Sequence, residues 1–178
     1  MIEITAAEFY GILNEKGIHE DELQRLVVEK LKLKGKKTAT AESCTGGYVS
    51  KRITDISGSA DAFECGVCSY ANRIKSKILG VKEETLAAFG AVSPETAKEM
   101  AQGVKFLAGA DFGISTTGIA GPTGGSEDKP VGLVYFAVAG EEETIVIKGK
   151  LWDAADNSRE GIRKLASSVI LYYLLTAV

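Results

Sequence analysis

Three side chains able to act as nucleophiles stand in a row at Ser43-Cys44-Thr45. Glu42 precedes them, and the pair Gly46-Gly47 follows. A serine or cysteine here would suit acyl transfer, in which the side chain attacks a carbonyl and an oxyanion has to be held. The stretch Thr38–Glu42 reads as a short strand, and an apolar pattern at helical spacing starts at Tyr48. The nucleophile candidates therefore fall where a strand gives way to a helix, and the free N–H groups of a helix start favour negative charge. Gly46 and Gly47 would let backbone approach a ligand closely. The alternative is that Ser43 only caps that helix.

A serine nucleophile needs a base. The only histidine, His19, lies in the polar stretch GIHEDE, so a Ser-His-Asp triad has no suitable imidazole. SYANRIKSK, residues 69–77, offers Tyr70 at a strand end and Lys75 and Lys77 on the helix that follows. Strand ends of a parallel sheet gather at one edge, so Tyr70 and Lys75 could face Ser43. A lysine used this way must be desolvated to be neutral near pH 7. The plain alternative is a core tyrosine with solvated lysines. Ser126-Glu127-Asp128-Lys129 also fits S-x-x-K, but it lies in a glycine-rich loop ahead of Pro130 rather than on a helix. Cys65 and Cys68 fit C-x-x-C, yet no second pair or histidine accompanies them for zinc. They read as small apolar fillers, and Cys44 is the second choice of nucleophile.

The stretch STTGIAGPTGGSEDKPVG, residues 115–132, combines hydroxyls and glycines after a short apolar strand. Successive N–H groups in such a loop can form an anion nest. The spacing is not that of a Walker loop. Its length favours a functional loop over a passive one.

These segments must be held by a scaffold. Helices are predicted at 5–15, 20–33, 48–56, 72–79, 83–88, 94–107 and 156–176, with Ser93 capping the sixth and Pro94 in its first turn. Strands are predicted at 38–42, 66–71 (as a buried strand), 112–117, 131–138 and 143–148, the last two as a hairpin. The alternation implies a three-layer α/β/α sandwich with a mixed, mostly parallel sheet of about five strands. In the last helix Ile162, Leu165, Ala166, Val169, Ile170 and Tyr173 form one stripe, while Leu171, Leu174, Leu175 and Val178 lie on roughly the other side. A helix apolar all round needs cover on both faces, and a homodimer is expected unless the N-terminal helices supply it.

The chain has 178 residues, 45% apolar and 25% charged, which suits one domain over 1–178. Its formal net charge of −3 gives no whole-chain field for nucleic acid, and no apolar run is long enough for a bilayer. Three cysteines, an odd number, and no leader pattern at MIEITAAEFY suggest a reduced, cytoplasmic protein.

TAESCTGG, SYANRIK followed by LGV, GAVSPETAKEMA and STTGIAGPTGGSEDKPVG occur in this order. Together they resemble the C-terminal domain of the CinA (competence/damage-inducible) family, whose stand-alone members include nicotinamide-nucleotide amidase, the NMN deamidase of the pyridine nucleotide cycle. The resemblance runs from about Thr38 to the C-terminus, with residues 1–35 as a helical lead-in and no room for the separate N-terminal domain of full-length members. It implies hydrolysis of the amide of nicotinamide mononucleotide to nicotinic acid mononucleotide and ammonia, without cofactor or metal. It places the nucleophile at Ser43, the base at Lys75 and an orienting or relaying tyrosine at Tyr70. Around them it implies substrate contacts from Glu42, Cys44, Thr45, Gly46 and Gly47, from Thr116 and Thr117, and from the loop residues Gly118, Gly121, Gly124, Gly125 and Ser126.

Overall fold

The computed structural model describes Met1–Val178. Six strands, β1 (Ile2–Thr5), β2 (Thr38–Glu42), β3 (Phe63–Cys68), β4 (Phe112–Gly118), β5 (Leu133–Ala139) and β6 (Thr144–Lys150), form one sheet in the order β1-β6-β5-β4-β2-β3. Seven α-helices surround it: α1 (Ala6–Lys16), α2 (Leu23–Lys34), α3 (Tyr48–Thr54), α4 (Asn72–Leu79), α5 (Glu83–Phe89), α6 (Pro94–Ala108) and α7 (Arg159–Ala177). β2 runs parallel to both neighbours, β3 and β4, and β5 is antiparallel to β4 and β6. The expected α/β sandwich with a mixed sheet is therefore present, with six strands rather than about five.

The additional strand is β1, which pairs parallel with β6 at the far edge. Its four residues, IEIT, are too few to show a period, and only pairing to a distant partner makes them a strand. Thr5 then caps α1 reciprocally with Glu8. This anchor lays α1 and α2 across α7: Phe9 meets Tyr172 edge-to-face at 5.9 Å between ring centres, and α2 packs along α7. Leu171 and Leu174 are fully buried inside the chain and Leu175 is half-buried. The second apolar face of α7 is thus covered without another copy, which removes the reason for expecting a homodimer.

The opposite face of the sheet is closed by α6, with α4 and α5 packed on it. Here the contact is built from small residues. Ala97, Ala101, Ala137 and Ala139 form one buried cluster, and a Cβ on Gly113 would run into the Ala101 carbonyl. Gly103 does the same for α4, since a side chain there would collide with the backbone of Leu79. Short side chains on both sides let α6 sit low on the sheet, and α4 in turn sits low on α6.

Two local expectations change. The strand after residue 62 is Phe63–Cys68, and it is the sheet's other edge, with alternating half-buried and exposed residues rather than a buried run. Cys68 is consequently exposed and fills no core, while half-buried Cys65 packs at the margin of the cluster formed by Ala39, Ala41, Leu79 and Met100.

Candidate active site

β2, β3 and β4 are mutually parallel, so their C-terminal ends share one edge of the sheet. Ser43 follows β2, Ser69-Tyr70 follow β3, and Gly118 ends β4. Along β2 the side chains alternate. Thr40 and Glu42 turn to α3, where both bond Ser50, while Ala39 and Ala41 pack with Leu79 and Met100 of α4 and α6. Ser43 continues the second series and so faces α4.

Lys75 rises from that helix to meet it, with Nζ 3.0 Å from Ser43 Oγ. The amine also donates to the Ser69 carbonyl at 2.6 Å and lies 3.5 Å from that of Tyr70. Lys75 is fully buried and no carboxylate pairs with it. Desolvation without a counter-charge holds its pKa below the ordinary lysine value. Lys77, two positions on, is exposed.

Ser43 does not cap a helix: the cap of α3 is Gly47, in a left-handed conformation at φ 92°. Capping falls instead to Glu42. One of its oxygens accepts from Thr45 Oγ1 (2.7 Å), Gly47 N (2.9 Å) and Val49 N (3.1 Å), and the other from Ser50 N (2.8 Å) and Ser50 Oγ (2.6 Å). With five donors on a carboxylate only 1% exposed, Glu42 shapes the turn from Ser43 to Gly47 and is not available to substrate or lysine. On the other side Arg163 donates twice to the Thr45 carbonyl (2.7 and 3.1 Å) and lies over the Tyr48 ring. Within this clamped turn the N–H groups of Cys44 and Thr45 bond no other residue. Both residues are buried, and burial pushes the Cys44 thiol up to about 12, which makes it a poor nucleophile near neutrality.

A cavity of about 220 Å³ opens beside Ser43. Ser43, Cys44 and Tyr70 line one side, Gly118–Gly121 with Thr123 and Gly124 the other, and Arg159 closes the end. The N–H groups of Ala120, Gly121, Thr123, Gly124 and Gly125 have no partner within the chain, which leaves the loop rich in free donors. Arg159 donates to the Gly121 carbonyl (2.7 Å) and to the Tyr70 hydroxyl (2.9 Å), both uncharged, and pairs with no acid. Larger grooves of about 500 and 890 Å³ lie at the other end of the sheet by the Gly140–Glu143 turn, but no serine–lysine pair lines them.

Several expected contacts are absent. Tyr70 is exposed, and its hydroxyl meets Arg159 rather than Ser43 or Lys75, so only its carbonyl nears the amine. Thr116 Oγ1 is occupied by Thr45 and Thr117 Oγ1 by the Ala91 carbonyl, both out of reach of a ligand. Thr45, Gly46, Gly47, Gly125 and Ser126 do not line the cavity; Ser126 Oγ accepts from Lys129 N in a turn of its own. Arg159 and Arg163 lie outside the motifs that the sequence offers for this site. One signal existed for the first: a cation in the opening turn of a helix opposes the macrodipole, which calls for another reason to be there.

This is the edge at which open α/β sheets place ligands, and the site combines a hydroxyl, a buried amine and a donor-rich loop. The sequence pattern of the CinA C-terminal domain matches residues 20–178. The chain is 50% identical over 176 residues to a competence-damage inducible protein of Caldanaerobacter subterraneus subsp. tengcongensis, covering 98% of this chain and 43% of that one. It is 46% identical over 162 residues to a CinA-like protein of Kosmotoga olearia, covering 91% and 38%. The crystal structure of the competence/damage inducible protein CihA from Agrobacterium tumefaciens superposes with a TM-score of 0.85 at 38% identity, covering 89% of this chain and 94% of that one. The chain belongs to the CinA C-terminal domain family, and it spans less than half the length of these curated relatives.

Proposed function

We propose that this chain is a serine–lysine amidohydrolase that converts nicotinamide mononucleotide to nicotinic acid mononucleotide and ammonia. The observation that carries the reading is the 3.0 Å approach of Lys75 Nζ to Ser43 Oγ, with the lysine fully buried. A neutral amine there can use its two N–H groups on the Ser69 and Tyr70 carbonyls and turn its lone pair to the Ser43 hydroxyl.

In the first half-reaction Ser43 Oγ bonds to the amide carbon and its proton passes to Lys75. The oxyanion is assigned to the unpaired N–H group of Cys44, which lines the cavity. The C–N bond then breaks and the Lys75 ammonium returns the proton to the departing nitrogen, which leaves as ammonia. Water attacks the acyl-serine with Lys75 again as base, which releases the acid and restores both side chains. The mononucleotide phosphate is assigned to Arg159 and the loop amides of Ala120, Gly121, Thr123 and Gly124, where positive charge and free donors coincide. Tyr70 holds Arg159 and does not relay the proton.

A binding module on the same scaffold would have no use for a buried amine against a hydroxyl. Ammonia release from nicotinamide mononucleotide by the purified protein, with chelator present, tests the assignment. Ser43→Ala should abolish release and Lys77→Ala should leave it intact. Tight binding of the nucleotide without turnover would favour the module.

A further inference from the structure

Two buried hydroxyls in this chain have no hydrogen-bond partner, those of Thr38 and Ser69. Leaving a buried donor unpaired costs on the order of 1–3 kcal/mol, and alanine would avoid it. Thr38 lies at the end of β2 remote from Ser43. Ser69 lies against the dyad: it is fully buried, and its own carbonyl accepts the shortest bond that Lys75 makes, 2.6 Å. Its hydroxyl turns about a single χ1 bond, on the residue whose carbonyl that amine already bonds.

The proton transfer proposed above creates a shortage of acceptors. As an ammonium, Lys75 has three N–H groups to place. The Ser69 carbonyl takes one, the Tyr70 carbonyl is 3.5 Å away, and Ser43 Oγ, once bonded to the tetrahedral carbon, is an ether-type oxygen and a poor acceptor. No carboxylate is present to balance the charge. We propose that Ser69 is a positioning residue whose spare hydroxyl swings to accept from Lys75 when the lysine takes the Ser43 proton. An orphan in the resting site is then the partner of its charged intermediate. The inference rests on the Ser43–Lys75 reading.

The probe is a fluorophosphonate, which needs no knowledge of the natural substrate. Ser43 Oγ forms the bond to phosphorus, fluoride leaves, and the hydroxyl proton passes to Lys75. Labelling rates are followed by intact mass across pH in the wild type, Ser69→Ala and Ser69→Thr. Of the ionisable side chains on the elements around the amine, Glu42 of β2 is held by five donors, Cys68 of β3 and Arg73 and Lys77 of α4 are exposed, Glu99 of α6 is occupied by Lys82 N and Thr85, and Cys44 and Tyr70 flank the site. Cys44 alone bears on the charge of Lys75, and with its thiol pushed up to about 12 it stays neutral over the assay range.

Removing an acceptor from the ammonium lowers the lysine's pKa further. Ser69→Ala should therefore shift the acid limb of the rate profile down by roughly one pH unit. Its plateau should fall by up to about tenfold, the worth of one hydrogen bond to a charged group. Ser69→Thr, which keeps the hydroxyl, should restore both. Ser69→Cys, close in shape but a weak acceptor, carries the same comparison if the alanine variant does not fold. A wild-type limb and plateau in a folded Ser69→Ala protein overturns this inference alone. Failure of wild-type Ser43 to take the label overturns the dyad and this inference together.

Discussion

Replacing Glu42 with glutamine isolates the group that shapes the nucleophile turn. The swap keeps size and shape but turns one acceptor oxygen into a donor and removes the charge. The less damaging orientation puts the new NH2 at the oxygen that serves Ser50, because the hydroxyls can turn and that strands one backbone N–H, whereas the reverse strands two, Gly47 N and Val49 N. One buried donor left unpaired costs roughly 1–3 kcal/mol. Loss of the charge at the start of α3 adds about 0.5–1 kcal/mol, and weakening of the three remaining charge-assisted bonds brings the whole to about 2–4 kcal/mol. With a urea m-value of roughly 1–3 kcal/mol/M, the midpoint should drop by about 1–2 M at unchanged m. Amidase activity should fall as well, because the turn that presents the Cys44 amide loses its support. A midpoint within about 0.3 M of wild type, a shift far smaller than one stranded donor implies, would refute this account of the turn.

Lys75→Met should abolish activity yet raise stability, since it removes a buried amine that has no counter-ion. The folded pKa of Lys75 lies below its unfolded value, so the native state carries the full ionisation penalty below the folded pKa and sheds it as pH rises to the unfolded one. The stabilising increment of Lys75→Met should therefore shrink between those two values, and urea midpoints against pH will show it. For the same reason wild-type kcat/KM should fall as pH drops through the depressed lysine pKa. Gly103→Ala should destabilise by about 1–3 kcal/mol, because the new methyl drives α4 off α6, and it should lower kcat by moving Lys75 from Ser43. Arg159→Ala should raise KM for nicotinamide mononucleotide by roughly 10- to 100-fold while leaving turnover of the dephosphorylated nucleoside unchanged.

The sequence by itself determined which residues could react and which elements carry them. The strand–helix alternation, the cap at Ser93 and the hairpin near Gly140 rest on local patterns, and local patterns are written in neighbouring residues. Ser43 and Lys75 were candidates because a nucleophile without a histidine needs another base, and the resemblance to the CinA family is what singled them out. What their 32-residue separation could not contain was the 3.0 Å contact, which needs β2 and β3 in parallel register and Gly103 seating α4. Tertiary structure also decided the fate of every competing hydroxyl. Thr45, Thr116 and Thr117 look as reactive as Ser43 in the sequence, yet folding gives each a partner. It converted Glu42 from a candidate ligand to the cap of α3, and placed Arg159 of α7 at the end of the cavity, bonded to the loop after β4. The apolar faces of α7 show the same division: periodicity required that both be covered, but only the pairing of β1 with β6, 145 residues apart at Ile2 and Ile147, showed that α1 and α2 do the covering. Periodicity records that a surface must be buried; the identity of what buries it depends on contacts between distant residues, which no local pattern encodes.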